Sequence, residues 1–278
     1  MKNNYAVFII SHKRPEVETL KALNGAGYTG EYFIVVDDED TTISEYKSRY
    51  GEHVLVFSKE KMLEETDTID NYKILNAAVY AMNYCLKYSR KHGYKYIAIF
   101  DDDTKKIGIR YESEGKLKSA YIKNFDKVLD LYISFLETSN FLCVSFLPAA
   151  RLIGGLKSDI WQKKEYSNVA NIFIIRTDSP YFQGSLYQDL TYSVLNNYRG
   201  KLVKALLPIV YYQEPPENNL NGGLAETYSK YSKYTSIFHT VIACPSAVHI
   251  KASNSDMQIF AHKDNYVPKV ISETWKKK

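Results

Sequence analysis

The sequence predicts an α/β fold organised on a largely parallel sheet with flanking helices, and three observations predict it. Tyr5-Ala6-Val7-Phe8-Ile9-Ile10, Tyr32-Phe33-Ile34-Val35-Val36 and His53-Val54-Leu55-Val56-Phe57 are short, nearly continuous apolar runs separated by amphipathic stretches. Such runs are how strands covered on both faces read, and their alternation with helices specifies parallel pairing through right-handed crossovers. Second, each run ends abruptly in polar residues: Ser11-His12-Lys13-Arg14-Pro15, then Asp37-Asp38-Glu39-Asp40, then Ser58-Lys59. Third, the run Tyr96-Ile97-Ala98-Ile99-Phe100 stops at Asp101-Asp102-Asp103. Burying unpaired charge costs several kcal/mol, so these carboxylates belong at the strand's C-terminal lip. In open α/β sheets that lip is where ligands bind, and an Asp-x-Asp offers hard oxygens to a divalent cation such as Mg2+ or Mn2+ carrying a diphosphate. The alternative is a solvated acidic turn closing a strand.

The elements follow in order. After the first strand, Pro15 is placed to begin a helix that runs through Val17, Leu20 and Leu23 and stops at Gly25-Ala26-Gly27. A short helix through Tyr46 and Tyr50 ends at Gly51. From Asp70-Asn71 a long amphipathic helix presents Ile74, Ala77, Ala78, Ala81, Met82 and Cys85 on one face and ends at Gly93. Beyond the triplet, Ile107, Ile109 and Tyr111 alternate, as in a strand of a second, smaller antiparallel set. A helix from Ile122 to Phe135 and a strand from Phe141 to Phe146 come next. Residues 152–168 lose periodicity around Gly154-Gly155, which fits either a lid or a plain surface excursion. Strands are expected over Val169–Ile175, Val203–Tyr212, Ile237–Ala243, Ala247–Lys251 and Ile259–His262, and a helix opens at Gln188-Asp189 and ends near Arg199-Gly200.

Composition sets the bounds. With 278 residues, 45% of them hydrophobic, the chain can bury one sizeable core. No apolar stretch of about eighteen residues exists, the five-residue apolar run Ala6–Ile10 has no small-residue cleavage site behind it and is not expected to be a signal peptide, and the expected location is the cytoplasm. Cys85, Cys143 and Cys244 are far apart and set in apolar sequence, as reduced core thiols would be. A formal net charge of +4 is compatible with a polyanionic partner without requiring one. Lys-Tyr pairs at Lys95-Tyr96, Lys230-Tyr231 and Lys233-Tyr234 would suit unpaired nucleic acid, or else reflect a general bias towards lysine and tyrosine. No Gly-x-Gly-x-x-Gly and no Walker-type loop follows the first strand, which disfavours a dinucleotide fold and a P-loop NTPase.

Across nearly its whole length the chain resembles a GT-A glycosyltransferase, and more narrowly the TET-associated family of phage and related DNA-base glycosyltransferases. The resemblance is carried by the order and spacing of Ile9-Ile10-Ser11-His12-Lys13-Arg14-Pro15, Asp37-Asp38-Glu39-Asp40 with Tyr46, Ser58-Lys59 and Ala81-Met82-Asn83. It continues through Asp101-Asp102-Asp103, Asn171 to Asp178, Gln188-Asp189, Gly222-Gly223, Cys244-Pro245-Ser246 and His262 with Val267-Pro268-Lys269. Met82 and Gln188 depart from the family pattern, which has Arg and Glu at those places.

The resemblance implies one GT-A-like domain over residues 1–278, with a nucleotide-sugar-binding half (1–110) and an acceptor-binding half (111–278) that carries the smaller antiparallel sheet. It implies Mn2+ or Mg2+ held by Asp101, Asp103 and His262, and a donor, UDP-glucose first, contacted by Ser11, Lys13, Arg14, Asp38, Lys59, Asn83, Asp101 and Asp102. Asp37 and Asp40 are near alternatives to Asp38. An acceptor hydroxyl needs a base as it attacks, which makes Asp189 the candidate and Asp178 the next in line. In-line attack implies inversion at the anomeric carbon. The implied acceptor is a hydroxymethylated pyrimidine in DNA, reached in the major groove or by flipping, within a host cytoplasm if the protein is phage-encoded. Rival readings are transfer to a polysaccharide or cell-envelope acceptor, and a catalytically inactive nucleotide- or DNA-binding domain.

Overall fold

The structure is a computed structural model that describes residues 4–70, 74–163, 168–213, 238–250 and 260–262. Its first half alternates β1 (Tyr5–Ile10), α1 (Glu18–Gly25), β2 (Tyr32–Asp37), α2 (Ile43–Tyr50), β3 (Val54–Phe57), α3 (Lys59–Glu65), α4 (Val79–His92) and β4 (Tyr96–Asp101). The second half adds β5 (Thr104–Ser113), β6 (Lys116–Tyr121), α5 (Phe125–Thr138), β7 (Phe141–Pro148), α6 (Asp159–Lys163), β8 (Ile172–Arg176), α7 (Gln188–Tyr198) and β9 (Leu202–Gln213). A hairpin of β10 (Val248–Ile250) and β11 (Phe260–His262) stands apart as a two-stranded sheet.

One nine-stranded sheet in the order β3-β2-β1-β4-β8-β7-β9-β5-β6 runs through both halves. β3, β2, β1 and β4 pair in parallel, as their continuous apolar sequences predict. β8 enters antiparallel between β4 and β7, and β5 is antiparallel to both β9 and β6. The antiparallel strands therefore extend the parallel sheet, and β5 carries the chain straight out of the acidic triplet into that extension.

Alternation along each strand divides the core in two. Val7, Ile9, Ala98, Phe100 and Ile174 face α1, α2 and α5 through Leu20, Leu23, Tyr46, Leu129 and Ile133. Ala6, Phe8, Ile97, Ile99 and Phe173 face α4 through Met82, Cys85 and Leu86. Each large side chain fully withdrawn from water contributes about 1.5–3 kcal/mol, so strands covered on both faces need apolar residues at every position. All three cysteines are buried and unpaired by disulfides, and burial pushes the Cys85 and Cys143 thiols up. No helix among the described residues is long and apolar enough to cross a membrane.

Several expected elements shift. α1 begins at Glu18 rather than Pro15, because Lys13 sits at φ 54 and the segment before the helix is drawn into contacts at the sheet lip. α4 begins at Val79 rather than Asp70, whose side chain instead bonds Ser185 and His239. β8 begins only at Ile172, since Asn171 takes φ 59 and cannot continue a strand backwards. Residues 238–243 are helical, not a strand: their aromatic and β-branched composition suggests β structure, but His239 and Thr240 are buried while Phe238 and Ile242 are exposed. The Cys244 amide donates to the Thr240 carbonyl four residues back at 3.0 Å. Tyr96 of the Lys95-Tyr96 pair is 8% exposed and belongs to the core, so that pair offers no stacking surface.

Candidate active site at the acidic lip

The site begins with register. β1 and β4 pair so that Ile10 lies opposite Asp101, which sets Ser11 beside Asp102. Asp102 turns inward and is 3% exposed. The Ser11 hydroxyl donates to its Oδ2 at 2.5 Å and Arg14 Nη2 lies 2.7 Å from its Oδ1. Tyr46 reinforces this pocket from α2, its hydroxyl 2.6 Å from Ser11 Oγ and accepting the Arg14 N–H at 3.0 Å. Burial pushes the Asp102 carboxyl up to about 6 against the opposing pull of Arg14 and Ser11.

The backbone of the triplet is pinned by the start of α1. The Thr19 N–H donates to the Asp102 carbonyl at 3.0 Å, its hydroxyl donates to the Asp101 carbonyl at 2.5 Å, and it accepts the Thr104 N–H at 2.9 Å. Asp103 is held from the other side, where the Gln213 side-chain amide at the end of β9 donates to its Oδ1 and Asn171 donates to Gln213. The Asn171 carbonyl also accepts the Asp101 N–H at 3.2 Å. Burial, then the adjoining charges of Asp103 and Asp102, push the Asp101 carboxyl well above the usual carboxylate range. Two crowded carboxylates of this kind suit a hard divalent cation, which typically takes one or two carboxylates and completes its shell with waters and substrate phosphates. Asp101 and Asp103 fit that role, although among the described residues no group of three His, Cys, Asp or Glu is gathered around one point.

Asp189, at the start of α7, lies near enough to the lip for its charge to act on Asp101. Tyr187 at φ 50 turns the chain into α7, and Asp189 Oδ1 accepts the N–H of Leu190 at 2.8 Å. Burial pushes its carboxyl up, while the Leu190 amide and then Arg151 act in the opposite direction. The Asp189 charge is among those that raise Asp101. Burial followed by Asp101 and Asp189, with Arg151 opposing, pushes the Tyr211 phenol up. Asp101, Asp103, Asp189, Arg151 and Tyr211 thus share one electrostatic field. The Tyr211 hydroxyl donates to the Ala170 carbonyl at 3.0 Å, fixing the ring under the lip.

A second polar group lies where β1 and β2 end. Asp37, Asp40 and Lys59 are each no more than 5% exposed. His12 Nδ1 is 2.7 Å from Asp37 Oδ2, and Lys59 Nζ is 2.9 Å from Asp37 Oδ1. Asp40 is consumed by the Lys13 N–H at 2.7 Å and by both the amide and hydroxyl of Thr42. Asp38 is exposed and accepts the Lys59 N–H at 3.0 Å, which satisfies the first amide of α3.

The predicted site residues therefore divide. Ser11, Arg14, Asp101, Asp102, Asp103 and Asp189 converge on one lip, with Lys13 and Asp38 at its β1–β2 end. The Lys59 ammonium is engaged by Asp37 and Glu39, and Asn83 is 0% exposed with its amide engaged by both backbone groups of Phe182. Asp178 is excluded as a base: β8 runs antiparallel to β4, so Arg176 pairs with Tyr96 at the opposite end of the sheet, and Asp178 is held there by Arg176 at 2.9 Å. The backbone of His262 pairs with Val248, but its side chain lies outside the described residues, as do Lys230, Lys233, Gly222-Gly223 and Lys276–Lys278. Sequence reasoning missed Thr19, Arg151, Tyr211 and Gln213, and gave Asn171 a place in the family resemblance without a role at the lip.

Residues 5–222 match the family described as TET-Associated Glycosyltransferase, and the chain belongs to that family. It is a glycosyltransferase, with the central sheet and flanking helices expected of a GT-A-like fold. Among solved structures, a mycobacterial protein is 13% identical at a TM-score of 0.48, over 93% of this chain and 82% of that one. Glucosyl-3-phosphoglycerate synthase from Mycobacterium tuberculosis, in complex with Mn2+, UDP and glucosyl-3-phosphoglycerate, is 12% identical at a TM-score of 0.47, over 96% and 88%. Both are too distant to carry residue roles across. No curated protein matches the sequence.

Proposed function

We propose that the chain transfers a sugar from a nucleotide-sugar, UDP-glucose being the first donor to test, to the hydroxyl of a hydroxymethylated pyrimidine base in DNA. The observation that carries the reading is the placement of Asp101 and Asp103 at the end of β4, with the Asp189 carboxylate of α7 near enough for its charge to act on Asp101. Residues 1–110 contribute the donor side and residues 111–278 most of the acceptor side. Asp101 and Asp103, with His262 as a third candidate, would hold Mn2+ or Mg2+. When bound, such an ion neutralises the charge that develops on the leaving diphosphate.

The chain's own residues do the rest. Asp102 takes no part in coordination; it holds Arg14 and Ser11 in place beside the lip, where they meet the donor together with Lys13 and Asp38. Asp189 anchors Oδ1 on the Leu190 amide, leaving Oδ2 to take the proton of the attacking hydroxyl. Its burial favours the protonated product of that step. Attack from the side opposite the leaving group inverts the anomeric carbon.

The test is incubation of the protein with Mn2+, a panel of nucleotide-sugars, and DNA carrying or lacking hydroxymethylated pyrimidines, read by the mass of the released nucleosides. A hexose added only to the modified base is the expected result. Transfer to glycans with none to DNA would move the acceptor to the cell envelope, and donor binding without any transfer would make this an inactive domain.

A further inference from the structure

The β5–β6 hairpin leaves the acidic lip directly, and its chemistry is opposite to that of the lip. Residues 104–123 hold six cations, Lys105, Lys106, Arg110, Lys116, Lys118 and Lys123, against Glu112 and Glu114. That surplus of four positive charges equals the formal net charge of the whole chain, so the remaining sequence is balanced. Cross-strand register gathers part of it on one face: Lys106 pairs with Tyr212 of β9, and Gly108 pairs with Tyr121 of β6. The Lys106 ammonium stands 3.9 Å from the Tyr121 ring centroid and 5.5 Å from that of Tyr212. Tyr121 is 74% exposed on the outermost strand of the sheet. Arg110, two residues further along the same face as Gly108, has a buried Nε with no hydrogen-bond partner among the described residues.

We propose that this face is the track for an unpaired stretch of the DNA substrate, with a base stacked on Tyr121 and its backbone phosphates on Lys106 and Arg110. The inference rests on the DNA acceptor proposed above and names the surface that holds it. An exposed ring backed by a cation is a platform for any nucleobase, because every base has a π-face, and cations spaced along a strand follow phosphates. A duplex keeps its bases stacked on one another, so Tyr121 can be used only by a single strand or an extruded nucleotide. Lys106 lies three residues beyond Asp103, about 10 Å along an extended chain, which places the track within one or two nucleotides of the lip. Charge complementarity decides the kind of partner: a surplus of four positive charges with an exposed ring under a lysine suits a polyanion that carries aromatic bases.

The experiment measures fluorescence anisotropy of a labelled single-stranded oligodeoxynucleotide and its duplex across a salt series, with the whole chain, Tyr121→Ala and Lys106→Ala/Arg110→Ala. Tyr121→Ala should weaken single-strand binding about tenfold at every salt concentration and leave the salt slope unchanged. Lys106→Ala/Arg110→Ala should flatten the slope by about 1.4, at about 0.7 for each phosphate no longer neutralised. Single strand should bind more tightly than duplex. Thermal melts check folding, and if the double variant misfolds, Tyr121→Ala decides alone because its ring is exposed. Wild-type protein that binds the strand while both folded variants bind it equally well overturns the hairpin assignment and leaves the DNA reading intact. Equal binding of polyglutamate, or of duplex, overturns the stacking track. Wild-type protein that binds no DNA yet glycosylates another acceptor removes the DNA reading, and the track with it.

Discussion

On the proposed reading the site has a donor wall and an acceptor wall, and the two are built differently. On the donor wall, four parallel strands end together and their terminal residues lock one another. Ser11 and Arg14 hold Asp102, His12 and Lys59 hold Asp37, and Lys13 with Thr42 holds Asp40. On the acceptor wall, the Asp189 carboxylate is anchored through the amide of its neighbour Leu190, and its helix is positioned from afar. Ser185, three residues before α7, donates to Asp70 at 2.6 Å, and Asp70 also meets His239 at 2.6 Å across 169 residues of sequence. A wall whose polar side chains already hold one another is preorganised for one ligand, and of those named here the buried Arg14 Nε is left without a hydrogen-bond partner among the described residues. The opposite wall is held by groups far apart in sequence, Asp70, Ser185 and His239, one step removed from the Asp189 carboxylate itself.

The contrast breaks first at the triplet. Asp101→Ala or Asp103→Ala should abolish transfer and the Mn2+-induced rise in melting temperature while the fold survives, because removing one of two crowded carboxylates relieves repulsion. Full turnover in either variant would reduce the triplet to an acidic turn. Asp189→Asn should lower single-turnover rates by about 10²- to 10⁴-fold with donor affinity unchanged by calorimetry, since the amide still accepts the Leu190 hydrogen bond but takes no proton. A variant that transfers at the wild-type rate would show Asp189 to be merely the opening residue of a helix.

Asp102 sharpens the comparison from within the same three residues. Asp102→Ala leaves the Arg14 guanidinium without its carboxylate and the Ser11 hydroxyl with Tyr46 as its remaining side-chain partner, and should destabilise the fold by about 2–4 kcal/mol in urea titration, where Asp101→Ala does not. An unchanged midpoint for Asp102→Ala would mean that the inward carboxylate contributes nothing to the donor wall.

The same difference explains what was legible in the sequence. The parallel half could be read because each strand carries its own signal, an apolar run ending in charge, and Gly51 and Gly93 mark helix ends by adopting φ 56 and φ 80. Asp101, Asp103 and Asp189 were legible as carboxylates at element boundaries. Gln213 was not, because an amide at the end of a strand has no chemical signature until the fold brings it 110 residues back to Asp103. Tyr211 and Arg151 were hidden in the same way, as ordinary residues of a strand and a turn. The helix at 238–243 was misread because its composition favours strand, and burial against α7, with Thr240 3.0 Å from Thr191, outweighs that propensity.

The smallest predicted effect concerns Asp37, where the donor wall can be probed without touching the lip. Burial pushes this carboxyl up, but hydrogen bonds from His12 and Lys59 outweigh it and hold it at about 2 against an ordinary 3.8. A carboxylate depressed on folding stabilises the fold fully above the unfolded value and loses that contribution as pH falls through the folded one. The window is therefore about pH 4 to 2, and the difference corresponds to about 2 kcal/mol. In Asp37→Asn the contribution is absent at every pH, so wild type should exceed the variant by roughly that amount at about pH 5 and converge on it near pH 2. Denaturant midpoints at stepped pH measure this directly. A gap that persists undiminished at the acid end would assign the stability to packing around residue 37 instead of its charge, and the donor wall would then be held by shape more than by ion pairs.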